Sequence, residues 1–209
     1  MRIEQLAQSA DRAGRYLVKF SDGTVMRLYR QTVEDFALYT GLELTGEQLA
    51  ALRTAAGQMS AKMRAVRIVS ASSVSQKDLE QRLVHKGESP QQAKEAVQWM
   101  AELNLVDDRQ TAAQIVQRCA SKGYGLARAK QALYEKQIPK ELWEEALADY
   151  PDQTEHITAF LASRLQGRRD DRERKRAVDA LLRRGHSYGD IQRGLRQLQL
   201  EEDDFQEEL

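Results

Sequence analysis

The sequence has few of the residues that would place it in a disulfide-rich or membrane class. A single cysteine among 209 residues cannot form an internal disulfide, and only three prolines are present to interrupt helices. Aromatic residues make up 6% of the chain. No apolar run approaches the roughly 20 residues of a membrane span, and no signal peptide opens the sequence. We therefore expect a cytoplasmic, mainly helical protein.

The sequence also lacks a recognisable catalytic or metal-binding motif. His85, His156 and His186 have no second ligand at useful spacing, and we expect solvated turn residues rather than metal ligands. Gly123-Tyr124-Gly125 lacks the strand and the Lys-Ser/Thr of a phosphate-binding loop, so helix caps account for both glycines. Cys119 takes a position that leucine holds elsewhere and is predicted to be a buried packing residue. We predict neither an enzyme nor a cofactor.

One pattern occurs three times along the chain, around Gly87, Gly123 and Gly185. In each copy a basic residue precedes the glycine, an apolar residue lies four positions before it, and apolar residues follow six and ten positions after it. Glycine directly after a helix is typical of a left-handed C-cap. Ser89 and Ser187 then have the spacing of N-caps, and Gly125 is a weaker cap in the same position. The pattern predicts a helix, a sharp turn and a second helix in each copy.

Repetition of this unit predicts a helical repeat protein. The predicted helices are 60–71, 75–86, 89–103, 107–121, 125–136, 139–149, 152–165, 170–184 and 187–199. We expect a mainly all-α fold, an elongated array of three three-helix repeats after a small α/β N-terminal head. The predicted domains are the head at 1–58, repeats at 59–105, 106–150 and 151–200, and an acidic tail at 201–209.

The first 58 residues have a different pattern. Strand-like runs at 15–20 and 25–29 flank Ser21-Asp22-Gly23-Thr24, a typical β-hairpin turn, and residues 3–6 are a candidate third strand. Residues 33–39 and 45–56 are predicted helices, the second with Thr45 as its N-cap. A hairpin is marginally stable alone, so these helices are expected to support it.

The formal net charge of zero hides a strong asymmetry. Residues 164–196 carry eleven basic and five acidic side chains, whereas the last nine residues carry six acidic ones. A local excess of this size favours a polyanionic partner, because local charge sets the field that a ligand meets. A solvated helix face is the alternative.

Basic residues also precede the turn glycines, and Tyr124 and His186 follow two of them, an arrangement suited to phosphate contact and base stacking. The alternative is that Tyr124 and Tyr188 only pack the turns. The candidate site for DNA or a nucleoprotein consists of basic side chains and one tyrosine: Lys86, Lys122, Tyr124, Arg128, Arg168, Arg169, Arg172, Arg174, Lys175, Arg176, Arg183 and Arg184.

An ordered set of residues resembles the RecX regulatory family over residues 60–198. The set is Leu83, Lys86-Gly87, Ser89, Leu103 to Asp108, Arg118, Lys122 to Gly125, Leu133, Lys136, Ile138, Ala146-Leu147, Leu182, Arg184-Gly185, Ser187 and Ile191. Asn104 and Gln137 depart from the family pattern, which favours glycine there, and the tail is unusually acidic.

The resemblance implies a non-enzymatic protein that binds the filament of the RecA recombinase and suppresses its strand exchange, ATP hydrolysis and coprotease function. We expect a monomer that also binds single-stranded DNA weakly, through electrostatic contacts. The alternative is a stand-alone nucleic-acid-binding repeat protein that does not act on a recombinase.

Overall fold

Ten α-helices and a three-stranded sheet form the described part of the chain, residues 1–10, 14–165 and 171–207 of a computed structural model, with side chains described up to residue 198. The strands are β1 (Ile3–Gln8), β2 (Arg15–Phe20) and β3 (Val25–Tyr29). The helices are α1 (Arg30–Asp35), α2 (Gly46–Ala71), α3 (Gln76–His85), α4 (Pro90–Glu102), α5 (Asp108–Ser121), α6 (Leu126–Glu135), α7 (Trp143–Leu147), α8 (Thr154–Leu165), α9 (Asp171–Arg183) and α10 (Tyr188–Glu207). A mainly helical fold with a small α/β head is confirmed.

The chain divides into two compact units, residues 1–106 and residues 107–209. Within the first unit, one hydrophobic cluster joins the sheet to the start of α2, and a second joins the end of α2 to α3 and α4. Within the second unit, one cluster lies among α5, α6 and α7, and another among α8, α9 and α10. Each helical cluster thus buries the apolar faces of three successive helices.

The head is an antiparallel sheet in the order β1-β2-β3. The predicted hairpin turn is confirmed, with Gly23 at a φ of 83°, and the predicted third strand at residues 3–6 is confirmed as β1. Val18, Phe20 and Leu28 are at most 1% exposed, so one face of the sheet forms the core of the head. The opposite face is left for other contacts.

Three predicted helices of the first unit are wrong in their limits. Residues 45–56 and 60–71 form one continuous helix, α2, so the predicted boundary at residue 58 falls inside it. Gly57 does not break the helix: a Cβ there would lie 2.0 Å from Nε2 of Gln92, so glycine makes room for the Gln92 side chain of α4. The helix predicted at 33–39 begins earlier and ends at Asp35, because Ala37 adopts a φ of 45°.

Six helices end with the same geometry. The residue in the left-handed region is Gly87, Gly123 or Gly185 in the predicted cases, and Ala37, Asn104 or Gln137 in the others. In each, the following amide donates to the carbonyl five residues earlier, which belongs to a buried apolar residue: Val33, Leu83, Met100, Cys119, Leu133 or Leu181. The predicted turn glycines are therefore confirmed, and Asn104 and Gln137 keep the turn geometry without glycine.

The predicted caps are confirmed at Thr45 and Ser89, which form capping boxes, and at Ser187. Asp107 also caps a helix, the start of α5. The helix predicted at 139–149 is shorter, a 3-10 turn at Lys140–Leu142 followed by α7. The last helix is longer than predicted, since α10 continues to Glu207 and includes most of the acidic segment.

Candidate nucleoprotein interface

The three equivalent turns present a cation each. Lys86, Lys122 and Arg184 follow the last turn of α3, α5 and α9, and all three side chains are exposed. Their position near the negative end of a helix dipole is favourable for a cation. Lys86 belongs to the first compact unit and the other two to the second.

The residue after each glycine points into the protein in two of the three turns. Glu88 is 8% exposed, and its Oε1 accepts hydrogen bonds from Nε of Arg64 at 2.7 Å and from the hydroxyl of Ser60 at 3.1 Å. His186 is 6% exposed, and its Nε2 donates to the carbonyl oxygen of Gly123 at 3.0 Å. The prediction of a solvated His186 is therefore wrong, and this ring is not available for base stacking.

The buried imidazole of His186 interacts with the Gly123 carbonyl and with the carboxylate of Asp190. Burial is the main cause that lowers its pKa, and the hydrogen bond to Gly123 and the carboxylate of Asp190 act in the opposite direction. His156, which is exposed, lies against the same turn: its ring carbon Cγ would be 3.0 Å from a Cβ at Gly123. Two histidines thus pack around the glycine turn of the preceding repeat.

The turn after α5 and the turn after α9 contact each other through their backbones. The amide of Gly125 donates to the carbonyl of Arg184 at 3.0 Å, and the amide of Ala127 donates to the carbonyl of Gly185 at 3.2 Å. A Cβ at Gly125 would lie 2.0 Å from the Gly185 oxygen, and one at Gly185 would lie 2.3 Å from the amide nitrogen of Arg128. We call residues 122–128 and 183–186 the turn junction.

The sequence suggested that helix capping accounts for Gly125, but capping alone does not explain why this residue is glycine. Its φ is not in the left-handed region, and an ordinary N-cap would be satisfied by serine. The backbone approach to Gly185 requires the missing side chain. The sequence held one signal of this approach, since Gly125 replaces the serine found at the equivalent position of the other two copies.

The turn junction brings together several predicted site residues that are about 60 positions apart in sequence. Lys122, Tyr124 and Arg128 lie on one side, and Arg183 and Arg184 on the other. Because backbone hydrogen bonds fix the two turns, the junction holds cations from two repeats side by side on the surface.

The cations of the junction differ in their partners. Arg128 forms an ion pair with Glu135 at 3.1 Å, and both side chains are more than 40% exposed. The guanidinium of Arg184 lies over the ring of Phe160 at 4.6 Å from its centre. An exposed ion pair contributes about 0–1 kcal/mol, so a phosphate could compete for Arg128 at little cost. Stacking on Phe160 restricts Arg184 while leaving its N–H groups able to donate.

The tyrosines have different roles at these turns. Tyr124 is half-buried, and its carbonyl accepts a hydrogen bond from the hydroxyl of Tyr150 at 2.7 Å. Burial raises the pKa of Tyr150 to about 12, so this hydroxyl stays protonated and keeps donating. Tyr188 is 61% exposed, which contradicts a role in packing its turn.

Five of the predicted basic residues lie on α9. Its buried side consists of Ala177 and Leu181, and Arg172, Arg174, Lys175, Arg176 and Arg183 are on the exposed part of the helix. Arg176 pairs with Glu173 at 2.5 Å. Arg168 and Arg169 fall outside the described residues. Lys86 belongs to the other compact unit.

No group of three or more histidine, cysteine, aspartate or glutamate side chains suited to a metal ion is found in the described ranges. Cys119 is 7% exposed, as predicted, and burial raises the pKa of its thiol. Among the residues that the structure covers, no helix is both long and apolar enough to cross a membrane.

Comparison with known proteins supports one family throughout. Residues 107–147 match the family described as "RecX, second three-helix domain". The regulatory protein RecX of Xanthomonas axonopodis pv. citri is 31% identical over 125 residues, which are 58% of this chain and 77% of that protein. The regulatory protein RecX of Streptococcus gordonii is 25% identical over 199 residues, 93% of this chain and 77% of that protein.

Solved structures share the fold. A crystal structure described as regulatory protein RecX superposes with a TM-score of 0.67 at 21% identity, covering 91% of this chain and 97% of that one. RecX from Lactobacillus salivarius superposes with a TM-score of 0.62 at 23% identity, covering 70% of this chain and 99% of that one. The matched helical domain, the identity to the Xanthomonas protein and the shared fold lead to one conclusion: the chain belongs to the RecX family of regulatory proteins.

Proposed function

We propose that this protein binds the filament that the RecA recombinase forms on DNA, and that it suppresses the recombinase, ATPase and coprotease activities of that filament without catalysing a reaction itself. Membership of a family whose members are named regulatory proteins supports a regulatory role. The resemblance to the RecX family supplies the recombinase as the partner. Such a role would be carried out in the cytoplasm by a monomer.

The observation that carries the proposal is the turn junction. Lys122, Arg128 and Arg184 are cations from two successive repeats, and backbone hydrogen bonds fix their turns relative to each other. Preorganised cations lose less side-chain entropy when they meet phosphates, so they favour contact with the DNA backbone of a nucleoprotein. Several such contacts add by avidity although each is weak.

The full proposed interface adds further exposed cations to the junction. Phosphate contacts are independent of base sequence and depend on salt, so this surface should bind bare single-stranded DNA weakly. The proposed residues are Lys86, Lys122, Tyr124, Arg128, Arg172, Arg174, Lys175, Arg176, Arg183 and Arg184, with Arg168 and Arg169 outside the described residues.

The deciding experiment measures ATP hydrolysis by RecA on single-stranded DNA as this protein is added. Inhibition by amounts too small to coat the DNA supports action on the filament. The Lys122→Glu/Arg128→Glu double variant should require at least about tenfold more protein, because two phosphate contacts become repulsive. Lys130→Glu is the matched control. Lys130 is exposed on the side of α6 opposite Arg128 and is not part of the proposed interface.

The second candidate is a stand-alone nucleic-acid-binding protein, which the exposed cations of α9 favour. In that case ATP hydrolysis falls only when the DNA is coated, and the inhibition follows the affinity for bare DNA at every salt concentration. Inhibition that remains at a salt concentration where binding to bare DNA is lost would reject this candidate.

A further inference from the structure

The outer face of the head sheet has a composition that its folding role does not explain. In the register of the hairpin, Arg15 pairs with Tyr29, Leu17 with Arg27, and Lys19 with Val25. Since successive residues of a strand face opposite sides, these six side chains share the face turned away from Val18, Phe20 and Leu28 of the core. The face therefore alternates cations with apolar or aromatic side chains.

Two arginines from different elements converge on one tyrosine of this face. The guanidinium of Arg15 lies over the ring of Tyr29, 3.7 Å from its centre, and also donates a hydrogen bond to the phenol oxygen. Arg67 of α2 reaches the same oxygen with its Nη2 at 2.8 Å. Residues separated by 38 positions in sequence are thus joined at Tyr29.

The positive charges at this tyrosine have no carboxylate partner among the described residues. None of the ion pairs found there includes Arg15, Arg27 or Arg67, and Lys19 makes only a long contact with Glu4 at 3.8 Å. A neutral phenol oxygen accepts hydrogen bonds without neutralising charge. Each guanidinium has five N–H groups, so most donors of Arg15 and Arg67 remain free for an anion.

We propose that this cluster, Arg15, Arg27 and Arg67 around Tyr29, binds the phosphodiester backbone of a single-stranded nucleic acid. Two guanidiniums held a few ångströms apart match the non-bridging oxygens of phosphate. Leu17 is half-buried and Val25 is 57% exposed between the cations, so bases can contact apolar surface while phosphates meet arginines. That interleaving favours a nucleic acid over an acidic peptide, whose carboxylates carry no planar apolar groups.

The site shares no residue with the proposed interface of the repeats. It lies in the first compact unit, whereas the turn junction and α9 lie in the second. Nucleic-acid binding at the head does not depend on any action on RecA. Loss of one of these activities would therefore leave the other unaffected.

The test uses the full chain and a fluorescein-labelled oligothymidylate of about twelve nucleotides, followed by anisotropy over a range of salt concentrations. The Arg15→Gln/Arg67→Gln variant should raise the dissociation constant about five- to tenfold at low salt. Its salt slope should fall by about 1.4, which is the expected loss for two phosphate contacts on a single strand. The single Arg67→Gln variant, which changes an exposed side chain, should lose about 0.7.

Two further variants separate binding from folding. Arg53→Gln is the matched control, an exposed arginine on the same helix about 21 Å away along its axis, and it should leave the affinity within about twofold. Tyr29→Phe keeps both charges but removes their shared acceptor, so it should weaken binding about two- to threefold with an unchanged salt slope. The effect of the arginine variant should persist in the Lys122→Glu/Arg128→Glu background.

Two results would overturn the proposal. One is an arginine variant that melts at a lower temperature yet binds the oligonucleotide as tightly as the unchanged protein, which would make the cluster a structural tie between β3 and α2. The other is displacement of the oligonucleotide by polyglutamate at equal concentration of charge, which would indicate an acidic protein surface as the ligand.

Discussion

At the residue scale, the turn glycines serve two different purposes. Asn104 and Gln137 adopt φ values of 54° and 55°, so a left-handed helix end does not demand glycine here. Gly125 has an ordinary negative φ, and glycine is required because the Gly185 carbonyl approaches it. Close backbone approach, rather than backbone strain, is therefore the stricter constraint at that position.

Replacement of Gly125 by alanine tests this constraint. The new methyl group would lie 2.0 Å from a backbone oxygen that cannot move away easily, so we expect a loss of about 2–3 kcal/mol in the free energy of unfolding. Gly189→Ala is the control, since Gly189 has no backbone atom near its Cβ position, and it should be neutral or slightly stabilising. Urea unfolding measures both variants. Equal stability of the two would contradict the packing of the turns.

The buried imidazole of His186 predicts a pH-dependent stability. Burial lowers its pKa in the folded state, so below about pH 6.5 the unfolded chain binds a proton that the folded chain does not. Stability should therefore fall as the pH is lowered through this range. The urea midpoint should drop more between pH 7.5 and 5.5 in the unchanged protein than in His186→Gln, which cannot be protonated there. An identical drop in both proteins would show that His186 does not titrate differently on folding.

At the scale of elements, α2 joins the head to the first helical repeat. The helix spans 26 residues, with Leu52 in the cluster of the head and Ala61 and Ala65 in the cluster of α3 and α4. Gly57 lies between these contacts and leaves room for Gln92, whose Oε1 also accepts from the amide of Ser89. The predicted helices stop at residue 56 and resume at residue 60, whereas Gly57 lies inside α2 and makes a packing contact between two helices.

A double-mutant cycle at Gly57 and Gln92 measures that contact. Alanine in place of an interior helical glycine gains about 1 kcal/mol from helix propensity. In the unchanged protein, displacement of the Gln92 side chain offsets much of this gain, but in a Gln92→Ala background nothing opposes it. We expect a coupling free energy of about 0.5–1 kcal/mol from urea unfolding of the four proteins. Additive effects would contradict the contact.

At the scale of the whole molecule, the charge is distributed unevenly along the chain. The excess of cations at 164–196 is followed at once by a segment with six carboxylates, most of it within α10. Because this segment directly follows the proposed phosphate-binding surface in sequence, we expect its charge to oppose phosphate binding, since unscreened charges interact over roughly the 10 Å Debye length at 0.1 M salt.

Removal of the residues after Leu200 should therefore strengthen binding to bare single-stranded DNA. We expect a several-fold lower dissociation constant at low salt and a progressively smaller difference as salt screens the carboxylates. The control is a full-length variant in which the six carboxylates are replaced by their amides. It should strengthen binding to the same extent as the truncation. Equal affinity at every salt concentration would leave the segment a solubilising role only.

The sequence by itself determined the features that depend on near neighbours. Helix starts at Thr45 and Ser89 and the helix end at Gly87 follow from side chains and backbone groups within five residues, so local chemistry is sufficient to predict them. The alternation that gives the head its hairpin is equally local. The resemblance to the RecX family rested on the same short-range pattern, repeated in order.

Only the tertiary structure decided which of these local units touch each other and how. His186 is buried because it meets a carbonyl 63 positions away, and Arg67 belongs with Tyr29 because α2 runs on past the head. The approach of Gly125 to Gly185 likewise joins two turns from different repeats. Helical periodicity shows which face of a segment is apolar, but it does not show which other segment packs against that face. Contacts between residues this far apart in sequence are therefore seen only in the folded structure.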